Sequence, residues 1–176
     1  MLTENNKFKV LRQFFIRPTK EYYIREISRI VGLSPPGTMK ILNGLEKERL
    51  IIKRKNAVTT NYKANLKNRD FIALKRSYNL YSIHKSGLLD LLIEFYDTPE
   101  AIVLFGSYAA AEDLEKSDVD IAVVTSKDEY PPLEKFEEEI FRKINIHLVK
   151  NVEKAEKEFI NILANGVVLS GYLEVV

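Results

Sequence analysis

The chain has 176 residues, a formal net charge of +2 and a hydrophobic content of 45%, room for one full domain or two small ones with a buried core. It contains no cysteine and only two histidines, His84 and His147, which excludes disulfides, thiolate metal sites and a cysteine nucleophile and leaves a multi-histidine zinc site without ligands. No segment reaches the roughly 20 apolar residues that span a bilayer, and no apolar leader marks the N-terminus, so a cytoplasmic protein with no membrane partner is expected. The small net charge conceals a split. Residues 1–70 hold 16 Lys and Arg against 6 Asp and Glu, whereas residues 96–176 hold 8 against 17. A basic half attracts polyanions and an acidic half repels them, so the pattern points to a nucleic-acid-binding module joined to something else.

In chain order, Asn6 to Phe15 carries Phe8, Val10, Leu11, Phe14 and Phe15 at helical spacing and stops before Pro18. Tyr22 to Ile24 is a short strand-like run. Arg25 to Gly32 predicts a helix with Ile27, Ile30 and Val31 on its inner face and Gly32 as its stop. Ser34 is a good N-cap and Pro35 suits the first turn of a helix running to about Glu48, with Met39, Ile41, Leu42 and Leu45 inward. Leu50 to Lys55, a turn near Asn56 to Thr60, and Asn61 to Ala64 then read as two short strands about a loop.

Helix, glycine turn, capped helix and hairpin resemble the winged helix-turn-helix domains common in archaeal and bacterial transcription factors, over roughly residues 5–66. The resemblance implies that the second helix of the motif enters the major groove of double-stranded DNA while the wing follows the backbone. Carried over, Pro36, Thr38, Lys40, Asn43 and Lys47 face DNA from that helix, with Lys53, Arg54, Lys55 and Lys63 on the wing and Arg25 and Ser34 near the backbone. Asn43 is the residue suited to adenine, the lysines to phosphate. Winged-helix regulators commonly read two half-sites, so a homodimer is expected. The competing reading is a domain of this shape that packs only against protein.

Residues 67–95 form a helical connector. Asp70 to His84 is too apolar for a free linker, Ser86-Gly87 breaks it, and Leu88 to Phe95 is a second helix set to cover a sheet. Tyr78, Tyr81, Phe95 and Tyr96 supply an aromatic cluster for a core or a homodimer seam. His84 has no obvious chemical partner and is expected to be structural or exposed.

The third region, residues 96–176, carries the chemistry. Ala101 to Phe105 reads as a buried strand, Gly106-Ser107 as a turn, and Ser117-Asp-Val-Asp120 leads into a second strand. A strand alternates its faces with period two, so Asp118 and Asp120 point the same way. Two adjacent like charges are costly without a cation between them, and a divalent metal is the natural one. Further on, Lys143 to Val149 follows an acidic helix, Leu133 to Phe141. It alternates Ile144, Ile146 and Leu148 on one face with Asn145 and His147 on the other. His147 reads either as a general base or as a hydrogen-bonded strand residue.

Gly106-Ser107, ten residues, then Asp118-Val-Asp120 is similar to the nucleotidyltransferase superfamily that includes DNA polymerase beta and the minimal archaeal and bacterial nucleotidyltransferases. The overall arrangement resembles an archaeal winged-helix protein fused to such a domain: an α+β chain with an N-terminal winged helix-turn-helix followed by a nucleotidyltransferase-like mixed sheet with flanking helices. The resemblance implies Mg²⁺ held by Asp118 and Asp120, a phosphate cradle at Gly106 and Ser107 with Ser117 capping or orienting the loop, and a nucleoside triphosphate such as ATP as substrate. It also implies a third carboxylate on a later strand, where Asn145 is the match. The minimal members continue Gly-Ser-x-Ala-Arg-Gly, whereas this chain has Ala110 and Ala111 at the last two positions. Acceptors in the family include nucleic-acid ends, small molecules and proteins, and minimal members often pair with a helical toxin partner. Three readings follow: transfer of a nucleoside monophosphate to an acceptor, a DNA-binding transcriptional regulator with a catalytically weak or inactive nucleotidyltransferase-like domain, or a DNA-independent structural or antitoxin-like partner protein.

Overall fold

The computed structural model describes residues 5–55 and 59–174. Most of the expected turn near Asn56 to Thr60 lies outside the described residues, as do Val175 and Val176. The chain divides into two compact units, Met1–Tyr78 and Asn79–Val176.

The N-terminal unit begins with helix α1 (Asn6–Ile16), whose first turn is capped by the Asn5 side chain accepting from the Lys7 amide. Its Val10, Leu11, Phe14 and Phe15 are buried, as their spacing requires. The two-residue strand β1 (Tyr22–Tyr23) leads into α2 (Ile24–Val31), which ends where Gly32 adopts φ 69°. Helix α3 (Pro35–Lys47) starts at Ser34, whose hydroxyl accepts from the Gly37 amide. Strands β2 (Ile51–Lys55) and β3 (Thr60–Ala64) pair antiparallel, and β1 joins β3 to give the sheet order β1-β3-β2.

Three expectations about faces need correction here. Thr38, expected at the surface, is completely buried: its hydroxyl donates to the Ser34 carbonyl and accepts from Ser28 Oγ at 3.0 Å. Ser28 is itself buried and bonds the Ile24 carbonyl, so the α2–α3 contact runs through a pair of hydroxyls. That pair takes the inward slot on α2 and leaves Ile30 exposed. Met39, expected in the core, is likewise 45% exposed, with Leu42 and Leu45 providing the inner face of α3.

Helix α4 (Arg69–Ser86) contributes Phe71 and Tyr78 to the first core and Ile83 to the second. Tyr78 stacks on Phe15 at 5.4 Å between ring centroids, while Tyr96 is buried in the other core and Tyr81 is exposed. The four aromatics read as one cluster are therefore divided among separate environments. Helix α5 (Leu88–Phe95) buries Leu88, Leu89 and Leu92 in the second core.

The C-terminal unit is built on strands β4 (Ala101–Phe105), β5 (Val119–Val124), β6 (Ile144–Val149) and β7 (Val167–Gly171), in the order β6-β5-β4-β7. β4 pairs antiparallel with β5 and β7, and β5 pairs parallel with β6. β4 is buried along its whole length, which explains its unbroken apolar sequence. The five-residue helix α6 (Gly106–Ala110) follows β4, and α7 (Glu134–Ile140) provides the crossover to β6. A short 3-10 turn (Val152–Lys154) and α8 (Lys157–Ala164) precede β7. One sheet face packs Ile102, Leu104, Ile121, Val123 and Ile144 against α5, α6 and α7. The opposite face packs Val103, Phe105, Ala122 and Val124 against α8. The two faces follow directly from the alternation along each strand, and the chain is an α+β protein.

Candidate active site

Register brings the chemistry-bearing residues together. Phe105 is paired with Asp120 across β4–β5, and Asp120 with Asn145 across β5–β6. Asp118, just ahead of β5, shares the face of Asp120. Asn145 Nδ2 donates to Asp118 Oδ2 at 3.1 Å and to Asp120 Oδ1 at 3.3 Å. His147, two residues along the same face of β6, places Nε2 at 3.4 Å from Asp120 Oδ1. The two carboxylates are therefore bridged by an amide, with an imidazole against the second of them.

Gly106 lies beside this pair with φ +73°, a conformation in which a side chain is strained. A Cβ there would stand 2.9 Å from Asp120 Oδ2, so the glycine is required both by its backbone and by the carboxylate packed over it. α6 is too short to develop much of a macrodipole. What it offers an anion is the backbone N–H groups of its first turn, which have no intrahelical partner. Ala111 adopts φ 61° and is buried, so it holds the left-handed turn that a glycine would make easily. Ala110 is exposed and brings no charge. The Ser117 hydroxyl accepts from the Leu114 amide at 2.9 Å and so closes the loop that enters β5.

A buried network fixes the surrounding loops. Asp113, between α6 and β5, receives Arg142 Nη2 at 2.9 Å, and the two side chains are 1% and 3% exposed. Asn79 donates to the other Asp113 oxygen and to the Tyr108 carbonyl, and the Tyr108 and Ser82 hydroxyls meet at 2.7 Å. One carboxylate thus ties α4, the loop before Asp118, and the turn before β6. At the start of β6 the Lys143 ammonium, 2.6 Å away, and then the Ile144 amide hold the Glu137 carboxyl below its usual range. Glu137 in turn raises Lys143.

The pair Asp118 and Asp120 suits one Mg²⁺, which is bound typically through one or two carboxylates with substrate phosphates completing its shell. Turning the Asn145 amide over would exchange Nδ2 for Oδ1 and make the bridging group an acceptor. Among the described residues, no three His, Cys, Asp or Glu side chains form a group that could hold a metal, so substrate oxygens or water would have to complete the shell of an ion at this pair. Asn145, an amide and not an acid, is the third side chain that meets the pair.

One comparison with known families bears on the C-terminal unit. Residues 89–172 match the family model described as Polymerase beta, Nucleotidyltransferase. The match supports a nucleotidyltransferase domain over β4–β7 and does not reach the N-terminal unit. No curated protein and no solved structure matches the chain. Within the matched segment the structure assembles Gly106, Asp118, Asp120 and Asn145 in one place. Ser107 follows Gly106 at the start of α6, and Ser117 serves the loop. His147 belongs to the same place, and alternation along β6 was its signal in the sequence.

The basic residues of the N-terminal unit lie as follows. Pro36, Lys40 and Lys47 are exposed on α3 and Asn43 is half-buried, and their spacing at 36, 40, 43 and 47 forms one stripe. Asn43 Oδ1 is enclosed and makes no hydrogen bond, so reading adenine through both amide atoms requires the side chain to turn. Arg25 and Ser34 are exposed, although the Ser34 hydroxyl is engaged in the cap. Lys53, Arg54 and Lys55 are exposed on β2 and Lys63 is half-buried on β3, with Arg54 paired to Glu21 at 2.9 Å. Arg29, one turn beyond Arg25, lines the same cleft beside the α2–α3 turn and was not singled out from sequence. Among the described residues, no helix is long and apolar enough to cross a membrane.

Proposed function

We propose that the C-terminal domain binds a nucleoside triphosphate with Mg²⁺ and transfers its nucleoside monophosphate to an acceptor, and that the N-terminal unit is a winged helix-turn-helix that binds double-stranded DNA. The observation that carries the first part is the convergence of Asp118, Asp120 and Gly106 within a segment that matches the nucleotidyltransferase family. Mg²⁺ held by Asp118 and Asp120 would offset phosphate charge and polarise the phosphorus under attack. Gly106, having no Cβ, lets phosphate oxygens come close to the backbone N–H groups of Gly106 and Ser107. Asp120 is held in position by His147 and Asn145, and Asp118 by Asn145. The DNA part is supported by the basic charge of residues 1–70 and by the exposed stripe on α3.

A second reading is favoured by one observation. The Asn145 amide already bridges the two carboxylates, and no third acid joins them among the described residues. That arrangement suits a regulator whose nucleotidyltransferase-like domain binds nucleotide without turnover. Isothermal titration of ATP and GTP with Mg²⁺, on the native protein and on Asp118→Ala/Asp120→Ala, tests the site itself. Binding lost in the double variant supports it, and absence of binding to the folded native protein sinks it. Incorporation of labelled triphosphate in an acceptor screen then separates transfer from regulation.

A further inference from the structure

The two sides of the carboxylate pair differ in chemistry. Beyond Asp118 opens a cleft of about 480 Å³ whose lining mixes Glu115, Lys116, Glu134, Glu138 and Lys143 with the half-exposed ring of Phe141. Beside Asp120 stand three aromatic rings instead. Phe105, at the end of β4, is nearly buried and meets the His147 ring edge-on at 5.0 Å and the Phe159 ring of α8 edge-on at 5.8 Å. The His147 and Phe159 rings are 6.2 Å apart and inclined by 40°. The His147 side chain remains 42% exposed although it adjoins both a carboxylate and a ring cluster. A flat, uncharged ring finds three clustered rings beside Asp120, against a single ring among many charges in the cleft beyond Asp118.

We infer that His147 and Phe159, seated on Phe105, form the platform on which the base of the nucleotide stacks. This rests on the reading of the domain as a nucleoside triphosphate site. Phosphates held at Gly106 and Asp118–Asp120 leave the nucleoside end of the molecule beside Asp120, where His147 makes its contact. Stacking uses the π face that every base possesses. The platform therefore accepts all four bases and prefers purines for their larger overlap.

The test compares two probes, ATP and inorganic tripolyphosphate, each titrated calorimetrically with Mg²⁺ into the full chain. The variants are His147→Gln, which keeps a hydrogen-bonding group for Asp120 but removes the ring, and Phe159→Leu, which keeps apolar volume without a π face. The expected result is ATP binding weakened about tenfold in each variant, with tripolyphosphate binding changed by less than about twofold in Phe159→Leu, whose side chain makes no hydrogen bond to the carboxylates. Equal loss of both probes in Phe159→Leu would mean that Phe159 supports the phosphate end instead and would overturn the inference alone. Unchanged ATP affinity in both variants would also overturn it. A native protein that binds neither probe overturns the nucleotide site and this inference together.

Discussion

Gly106 carries two constraints at once, a left-handed backbone and a carboxylate 2.9 Å from where its Cβ would stand. Gly106→Ala should cost about 1–2 kcal/mol for the backbone alone and displace Asp120 as well. Urea unfolding and Mg²⁺–ATP titration together would show lower stability and weakened binding, and a variant that binds normally would remove Gly106 from the site. Asn145→Asp makes the opposite trade. It replaces two amide donors with a third negative charge, so the melting temperature should fall by several degrees in chelator and recover when Mg²⁺ is added. No recovery would mean that the three acids do not share a cation. At this scale the pairing of Asp118 with Asp120, and of Asn145 with His147, was legible because strand alternation is geometric. Thr38 was not, because a threonine on a helix reads as polar until its hydroxyl partner Ser28, ten positions earlier, is brought against it.

Elements with strong patterns were legible too: the apolar run of β4, the capped start of α3 and the glycine stop of α2 are local signals. The Asp113–Arg142 pair was invisible. Nothing local marks a loop carboxylate and an arginine 29 positions later as partners, because their meeting depends on how α6, β5 and the α7–β6 turn are stacked. Removing the cation from a buried pair is expensive, so Arg142→Met should destabilise the C-terminal unit by about 3–5 kcal/mol, measured by denaturant unfolding. A loss below about 1 kcal/mol would show the pair to be dispensable. Tyr96, just past α5, offers a pH test. Burial, then Tyr130, pushes its phenol up to about 12, and its hydroxyl donates to the Glu129 carbonyl. The folded state keeps the proton that the unfolded chain releases near pH 10. The stabilisation is therefore full below about pH 10 and is lost as pH rises towards about 12. Tyr96→Phe should be less stable than the native protein at neutral pH, with the gap closing over that alkaline window. A constant gap would contradict the assignment.

Across the whole molecule, charge is partitioned between regions that carry different proposed tasks. Residues 1–70 hold an excess of ten cations and residues 96–176 an excess of nine anions. If the exposed α3 stripe and β2 lysines contact phosphate, DNA affinity should fall steeply with salt. Lys40→Ala/Lys47→Ala should shallow the log–log slope by about 2, read by fluorescence anisotropy across a salt series. An unchanged slope would mean that these lysines do not meet the backbone.

The parallel pairing of β5 with β6 has a kinetic corollary. Asp120 and Asn145 become neighbours only after the α7 crossover has returned the chain to the sheet. Unlike a hairpin, a parallel pair cannot zip up from a tight turn, and closing its longer loop costs entropy before any contact repays it. The carboxylate pair should therefore acquire its amide bridge late in refolding, after β4 and β5 have joined. A refolding intermediate of this domain would already have its central strands paired and yet be blind to nucleotide.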